Sequence, residues 1–228
     1  MSRNVTGKRS TISFLCDRAN LLTLAGLLCG VSSIYFSSLQ ALTAATIALL
    51  WALFCDWFDG PIARGMTNRT DVDRAFGGQL DSLADLVCGG IAPAMLLLSS
   101  SGFAPWFLPG AFVLTVAGAI RLAYFNVFDD DDTYTGLPID TNIIVVTALF
   151  AVREPVGHVA FPWLLYAVVV VLAMLNVAPF RMPKPTRTWY YVVAAYVVAM
   201  TAFNVRQLAG AFTGEGEKNG SASSARLR

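Results

Sequence analysis

The chain has 228 residues, 56% of them hydrophobic and only 14% charged, and its mean hydropathy is +0.59. Soluble domains carry about 25% charged residues, so the composition excludes an ordinary soluble protein and predicts an all-α, polytopic membrane helix bundle in one domain. A net charge of +1 gives no basis for a nucleic-acid partner.

Residues 1–19 are polar and basic, with Arg3, Lys8, Arg9 and Arg18, and read as a cytoplasmic N-terminus. No cleavable signal peptide is expected, because the apolar stretch that follows leads straight into more of the same. Crossing the hydrocarbon core takes about 20 helical residues. Apolar stretches of that order lie at 20–38, 41–62, 76–99, 105–128, 139–152, 161–178 and 189–203, the fifth being short. They predict about six to eight transmembrane helices in a membrane domain over 20–208. The link at 65–75 is polar and holds Arg69, Asp71, Asp73 and Arg74. The fourth stretch carries Arg121, and the acidic run at 129–132 after it reads as a solvated loop. The segment 209–228 is rich in Gly, Ser and charge, and is predicted to be a disordered tail. A cytoplasmic N-terminus puts Arg64, Arg69, Arg74, Arg181, Lys184 and Arg187 on the same side as the basic N-terminus, as the positive-inside bias requires.

Cys16, Cys29, Cys55 and Cys88 show no Cys-x-x-Cys spacing and lie in or beside apolar segments, as small buried hydrophobes do. His158, the one histidine, sits in a link far from the acidic residues, which leaves no footing for a histidine-activated nucleophile.

The chemistry concentrates between residues 56 and 85. Asp56 and Asp59 are three residues apart, and Asp81 and Asp85 four, so on helices each pair shares a face. Two helices that each present two carboxylates form a site for hard divalent cations, which take oxygen ligands and accept a substrate phosphate as a further one. Gly60, Ala63 and Gly77 sit among them, where a missing side chain lets helices or a ligand approach the backbone. Arg121 is costly in an apolar segment and calls for an anionic partner, either a ligand or an aspartate of the cluster.

The pattern Asp56-x2-Asp59-Gly60-x2-Ala63-Arg64, then Gly77-x3-Asp81-x3-Asp85, resembles the signature of the CDP-alcohol phosphotransferase (phosphatidyltransferase) family. Twelve residues separate Arg64 from Gly77, a longer link than the family usually carries. Asn20-Leu-Leu-Thr-Leu, Leu80-Asp-Ser-Leu-Ala-Asp85, Arg121-Leu-Ala-Tyr-Phe-Asn126 and Thr135-Gly-Leu-Pro138 are similar to the bacterial and archaeal phosphatidylserine synthases. Members of that group follow Gly-Leu-Pro with small apolar residues. Here Asp140, Thr141 and Asn142 stand instead, which leaves the acceptor alcohol open.

The resemblance implies the fold of that family and transfer of a phosphatidyl group from CDP-diacylglycerol to an alcohol, L-serine first, with release of CMP. It implies Mg²⁺ or Mn²⁺ in a two-metal site held by Asp56, Asp59, Asp81 and Asp85, with Asp85 also the general base. Asp56, Gly60, Ala63, Arg64, Gly77 and Asp81 would hold the donor nucleotide and phosphates, and Arg121 and Asn126 the acceptor or a phosphate. It further implies a homodimer, and the positive-inside bias puts the site on the cytoplasmic face of the cell (inner) membrane. Glycerol phosphate, inositol phosphate, choline or another amino alcohol are alternative acceptors. A divalent-metal transporter is the alternative from another class, opposed by the lack of an inverted repeat and by carboxylates at span ends rather than at midplane.

Overall fold

The first long helix is started by Asp17, whose carboxylate accepts the Ala19 N–H at 2.9 Å. This helix, α1 (Arg18–Ser38), buries Ala19, Asn20, Thr23, Gly26, Gly30, Ser33 and Ser37, and leaves Leu21, Leu28, Val31 and Tyr35 exposed. The recurrence is that of one helix face, but the buried face is small and polar and the bare one apolar. That inversion of the soluble pattern is what a bilayer asks for, with apolar side chains toward lipid and small ones letting helices close up. The computed structural model describes residues 11–128, 133–183 and 186–225. The basic stretch up to residue 10, the acidic run at 129–132, Lys184 and the last three residues lie outside the described residues.

Helix α2 (Leu42–Gly65) packs on α1 so closely that a Cβ on Gly26 would stand 3.0 Å from Cys55 Cβ. The thiols of Cys29, Cys55 and Cys88 are free and serve as small packing groups, as composition implies. A third span runs from Asp71 to Ser100 as α3 (Asp71–Asp85), a π-helical turn (Leu86–Ile91) and α4 (Ala92–Ser100). It starts well before residue 76, where the apolar run begins. The Thr70 N–H donates to Asp73 Oδ2 at 2.9 Å, and the Asp73 N–H to Thr70 Oγ1 at 3.3 Å, a capping box that lets the polar link turn helical ahead of the membrane.

After a short 3₁₀ turn come α5 (Leu108–Val127), β1 (Thr133–Thr135), α6 (Asp140–Phe150), the single turn α7 (Arg153–Val156), α8 (Ala160–Asn176), β2 (Arg181–Pro183) and α9 (Arg187–Ala225). Among the described residues five segments are long and apolar enough to cross a membrane, and α6 and α8 are shorter apolar helices. The chain is therefore an integral membrane protein. α9 continues past residue 209, where a disordered tail is predicted; its backbone there closes local i→i−4 bonds, which composition alone does not forbid. β1 and β2 pair antiparallel with Tyr134 opposite Met182, a two-stranded ribbon that an all-helical reading leaves out. The ribbon ends in a tether for the Gly-Leu-Pro turn: the Gly136 N–H donates to Phe180 O at 2.8 Å and the Leu137 N–H to Leu175 O at 2.9 Å.

α2 is the axis of the bundle, in contact with α1, α4, α6 and α9. Its Leu49, Leu50 and Leu53 are fully buried with Leu96 and Leu97 of α4, Leu114 of α5, Val146 of α6, Leu165 and Val169 of α8 and Val197 of α9. The last turns of this central helix carry the first half of the acidic motif.

Candidate active site

Asp56 and Asp59 lie one turn apart near the end of α2, and Asp81 and Asp85 one turn apart at the end of α3. Carboxylate oxygens of Asp56, Asp81 and Asp85 all lie within 4.8 Å of one another. Like charges at about 4 Å repel by roughly 4 kcal/mol at an effective dielectric of 20, so three carboxylates held this close call for a proton or a cation shared among them. The set offers oxygen donors only, which fits Mg²⁺ or Mn²⁺ and not a metal that selects sulfur or imidazole.

Asp59 joins them through a side-chain hydrogen bond with Asp81. It is 7% exposed and also accepts the Thr23 hydroxyl from α1 at 2.5 Å. The four aspartates thus lie in one constellation, with Asp59 fixed in addition from the neighbouring helix.

Two cavities open on the cluster and share Asp59. The first is a narrow cleft between α1, α2, the π turn and α6, and its walls include Asp56, Asp85, Ile139 and Asp140. The second is wider, lies toward the polar link and is walled by Asn20, Gly60, Ala63, Arg69, Gly77 and Asp81.

Arg69 roofs the second cavity. Its guanidinium meets Asp17 Oδ2 at 2.7 Å and donates to Asn20 Oδ1 at 3.0 Å. Its path crosses the bare backbone of Gly77, where a Cβ would stand 2.5 Å from Arg69 Nη2. Gly77 is thus needed by the arginine of the link as well as by the cavity. Arg64 is exposed, folds back over Gly60 and donates to the Tyr190 hydroxyl of α9 at 2.9 Å. Neither cavity includes it, so its hand is turned to a neighbouring helix rather than to the carboxylates.

Arg121 is 8% exposed, with its guanidinium carbon 5.8 Å from the centre of the Phe125 ring, and its charge acts on Asp85 without its side chain lining a cavity. Asn126 is exposed and 3.1 Å from the Ser82 hydroxyl, a tie between α5 and α3 outside both cavities. His158 also lines neither cavity.

Thr23, Arg69 and Asp140 join the site without having been singled out for it. Thr23 had a signal in the Asn20-to-Leu24 run, and Asp140 had one as an unexpected acid after Gly-Leu-Pro. Arg69 had none beyond its place in a polar link.

The CDP-alcohol phosphatidyltransferase family model matches residues 17–177. The CDP-diacylglycerol–serine O-phosphatidyltransferase of Bacillus subtilis is 32% identical over 122 residues, 52% of this chain and 67% of that protein. The archaetidylserine synthase of Methanothermobacter thermautotrophicus is 34% identical over 134 residues, 58% of this chain and 56% of that one. The phosphatidylcholine synthase of Brucella melitensis is 30% identical over 190 residues, 80% of this chain and 66% of that one. The chain thus spans between about half and two thirds of the length of these relatives.

Proposed function

The chain belongs to the CDP-alcohol phosphatidyltransferase family, and from that premise we propose that it moves a phosphatidyl group from CDP-diacylglycerol to the hydroxyl of an amino alcohol, L-serine first, and releases CMP. The observation that carries the reading is the meeting of Asp56, Asp81 and Asp85 within 4.8 Å, between a cavity that holds Asp85 and one floored by Gly60 and Gly77. Divalent ions, two in this reading, would be held by those carboxylates with Asp59, and would supply charge neutralisation for the pyrophosphate and the leaving group.

The donor's nucleotide occupies the second cavity, where Gly60, Ala63 and Gly77 keep the walls thin. The acceptor enters the first. Its hydroxyl oxygen forms a bond to the phosphorus that carries diacylglycerol, and the hydroxyl proton passes to Asp85. The bond from that phosphorus to the bridging oxygen breaks, and CMP leaves with the electron pair. Positive-inside bias supports a cytoplasmic-facing site in the cell (inner) membrane, and the homodimer that the resemblance implies is part of the same proposal. Choline is a second reading of the acceptor. It is favoured because the phosphatidylcholine synthases of Brucella melitensis and Mesorhizobium japonicum match 80% and 74% of this chain, against 52% for the Bacillus subtilis serine enzyme.

The deciding experiment is CMP release by the purified protein from CDP-diacylglycerol with Mg²⁺ or Mn²⁺, one acceptor at a time. Release that needs both the divalent ion and an amino alcohol is expected. A folded protein that releases no CMP with any alcohol would remove the transferase reading.

A further inference from the structure

The first cavity has walls of one sign. Asp56, Asp59, Asp85 and Asp140 contribute to them, and no Lys, Arg or His does. Three of these acids are already accounted for by the metal set or by Thr23. Asp140 is not. It is not among the three carboxylates that converge within 4.8 Å, and among the described residues no hydrogen bond or ion pair involves its side chain.

Its position is built rather than incidental. Asp140 opens α6, and the start of that helix is pressed onto the π turn that follows Asp85. A Cβ on Gly89 would stand 2.9 Å from the Ile139 carbonyl oxygen, so only glycine there admits the backbone next to Asp140. Pro93 has no N–H to offer the Gly89 carbonyl four residues back, and the fully buried Asn142 donates to it instead, Nδ2 to O at 3.0 Å. Gly89, Pro93 and Asn142 together hold Asp140 in the wall that Asp85 also lines.

We propose that Asp140 is a specificity-determining residue that receives the cationic nitrogen of the acceptor, so that the enzyme selects hydroxylated ammonium compounds over neutral and phosphate-bearing alcohols. The assignment rests on the transferase reading above and deepens it. An amino alcohol whose hydroxyl lies at Asp85 carries its nitrogen two carbons away, on the wall that Asp85 and Asp140 share. With Asp56 and Asp85 engaged on the metal side, Asp140 supplies the remaining negative charge. A glycerol or inositol phosphate would bring about two negative charges, with no ammonium to offset them, to a wall that has no basic side chain, which a site of this kind rejects.

The test uses acceptor pairs that differ only in the charged group: choline against 3,3-dimethylbutan-1-ol, and L-serine against L-glycerate. Wild-type protein is expected to favour the ammonium member by about tenfold or more in kcat/KM. Asp140→Asn is expected to collapse that ratio, chiefly through KM of the charged acceptor. An unchanged ratio in Asp140→Asn, or an equal loss on both members of each pair, overturns the assignment. Equilibrium dialysis of radiolabelled choline and L-serine against wild-type and Asp140→Asn protein, with Mg²⁺ and CMP present, reads the contact without turnover. Weaker binding of the ammonium compound by the variant supports the assignment, and equal binding overturns it. Charge-dependent binding with no CMP release from CDP-diacylglycerol would count against the transferase and leave Asp140 as an ammonium-binding residue.

Discussion

Replacing Thr23 by valine isolates one hydrogen bond at the heart of the site. Thr23 Oγ1 stands 2.5 Å from Asp59 Oδ2 and 3.1 Å from the Ala19 carbonyl oxygen, and its single proton goes to the closer, charged acceptor. Valine fills nearly the same volume, so no cavity term enters. What disappears is a donor to a carboxylate that is 7% exposed and therefore has little water to turn to. Hydrogen bonds to charged groups contribute about 1.5–3 kcal/mol net, which corresponds to roughly 10- to 150-fold in an equilibrium. Asp59 walls both cavities, so the loss is expected in kcat/KM for CDP-diacylglycerol at saturating acceptor. Thr23→Ser keeps the hydroxyl and should restore most of it. Thermal unfolding in detergent, followed by circular dichroism, separates this from loss of fold. Activity of Thr23→Val within about twofold of wild type, against the tenfold floor set by the bond, or a serine variant as impaired as the valine one, would refute the reasoning.

Asp85→Asn is expected to lower transfer by about 10²–10⁴-fold, the usual contribution of a positioned base, while the protein still folds and binds CMP; wild-type turnover would take Asp85 out of the base role. Gly89→Ala sets a Cβ 2.9 Å from a backbone oxygen that cannot swing aside, so α6 must retreat at about 1–3 kcal/mol. KM for the acceptor should rise more than KM for the donor, and equal effects on both would detach α6 from acceptor binding. Arg69→Ala strips the cation from an ion pair whose side chains are 8% and 12% exposed, and leaves the Asp17 carboxylate with the Ala19 N–H but without its cation. Breaking such a pair costs about 3–5 kcal/mol, so the thermal midpoint should fall clearly, and adding Asp17→Asn should recover part of the loss. A midpoint for Arg69→Ala equal to that of wild type would show that the pair holds nothing.

The acidic constellation could be read in advance because its geometry is local. Spacings of three and four residues fix shared helix faces whatever the rest of the chain does, and α2 and α3 keep both pairs together. The start of the third span had a readable signal as well, since Thr70-x-x-Asp73 is a capping box written in four residues. Asp59's tie to α1 could not be read from its own helix, because its partner Thr23 lies 36 residues upstream. Arg69 belongs to the same kind: Asp17 and Asn20 decide where its guanidinium goes, and the longer link supplies the reach. The expected roles of Arg64 and Asn126 rested on motif position, whereas Tyr190 and Ser82 decide where those side chains turn.

The two cavities differ in charge, and that difference orders the proposed reaction. Arg69 stands over the cavity lined by Gly60 and Gly77, where a donor that carries phosphate negative charge meets a cation and exposed backbone. The cavity on the other side of Asp59 has carboxylates as the charged groups in its walls. A pyrophosphate would be repelled from the second environment and an ammonium drawn to it, so electrostatics help to sort the two substrates before any shape is read. Asp81 faces the donor side and Asp85 the acceptor side, one helical turn apart on α3. In the proposed reaction the attack of the hydroxyl would run across that single turn, which is held at one end by the capping box of α3 and at the other by the π turn against α6.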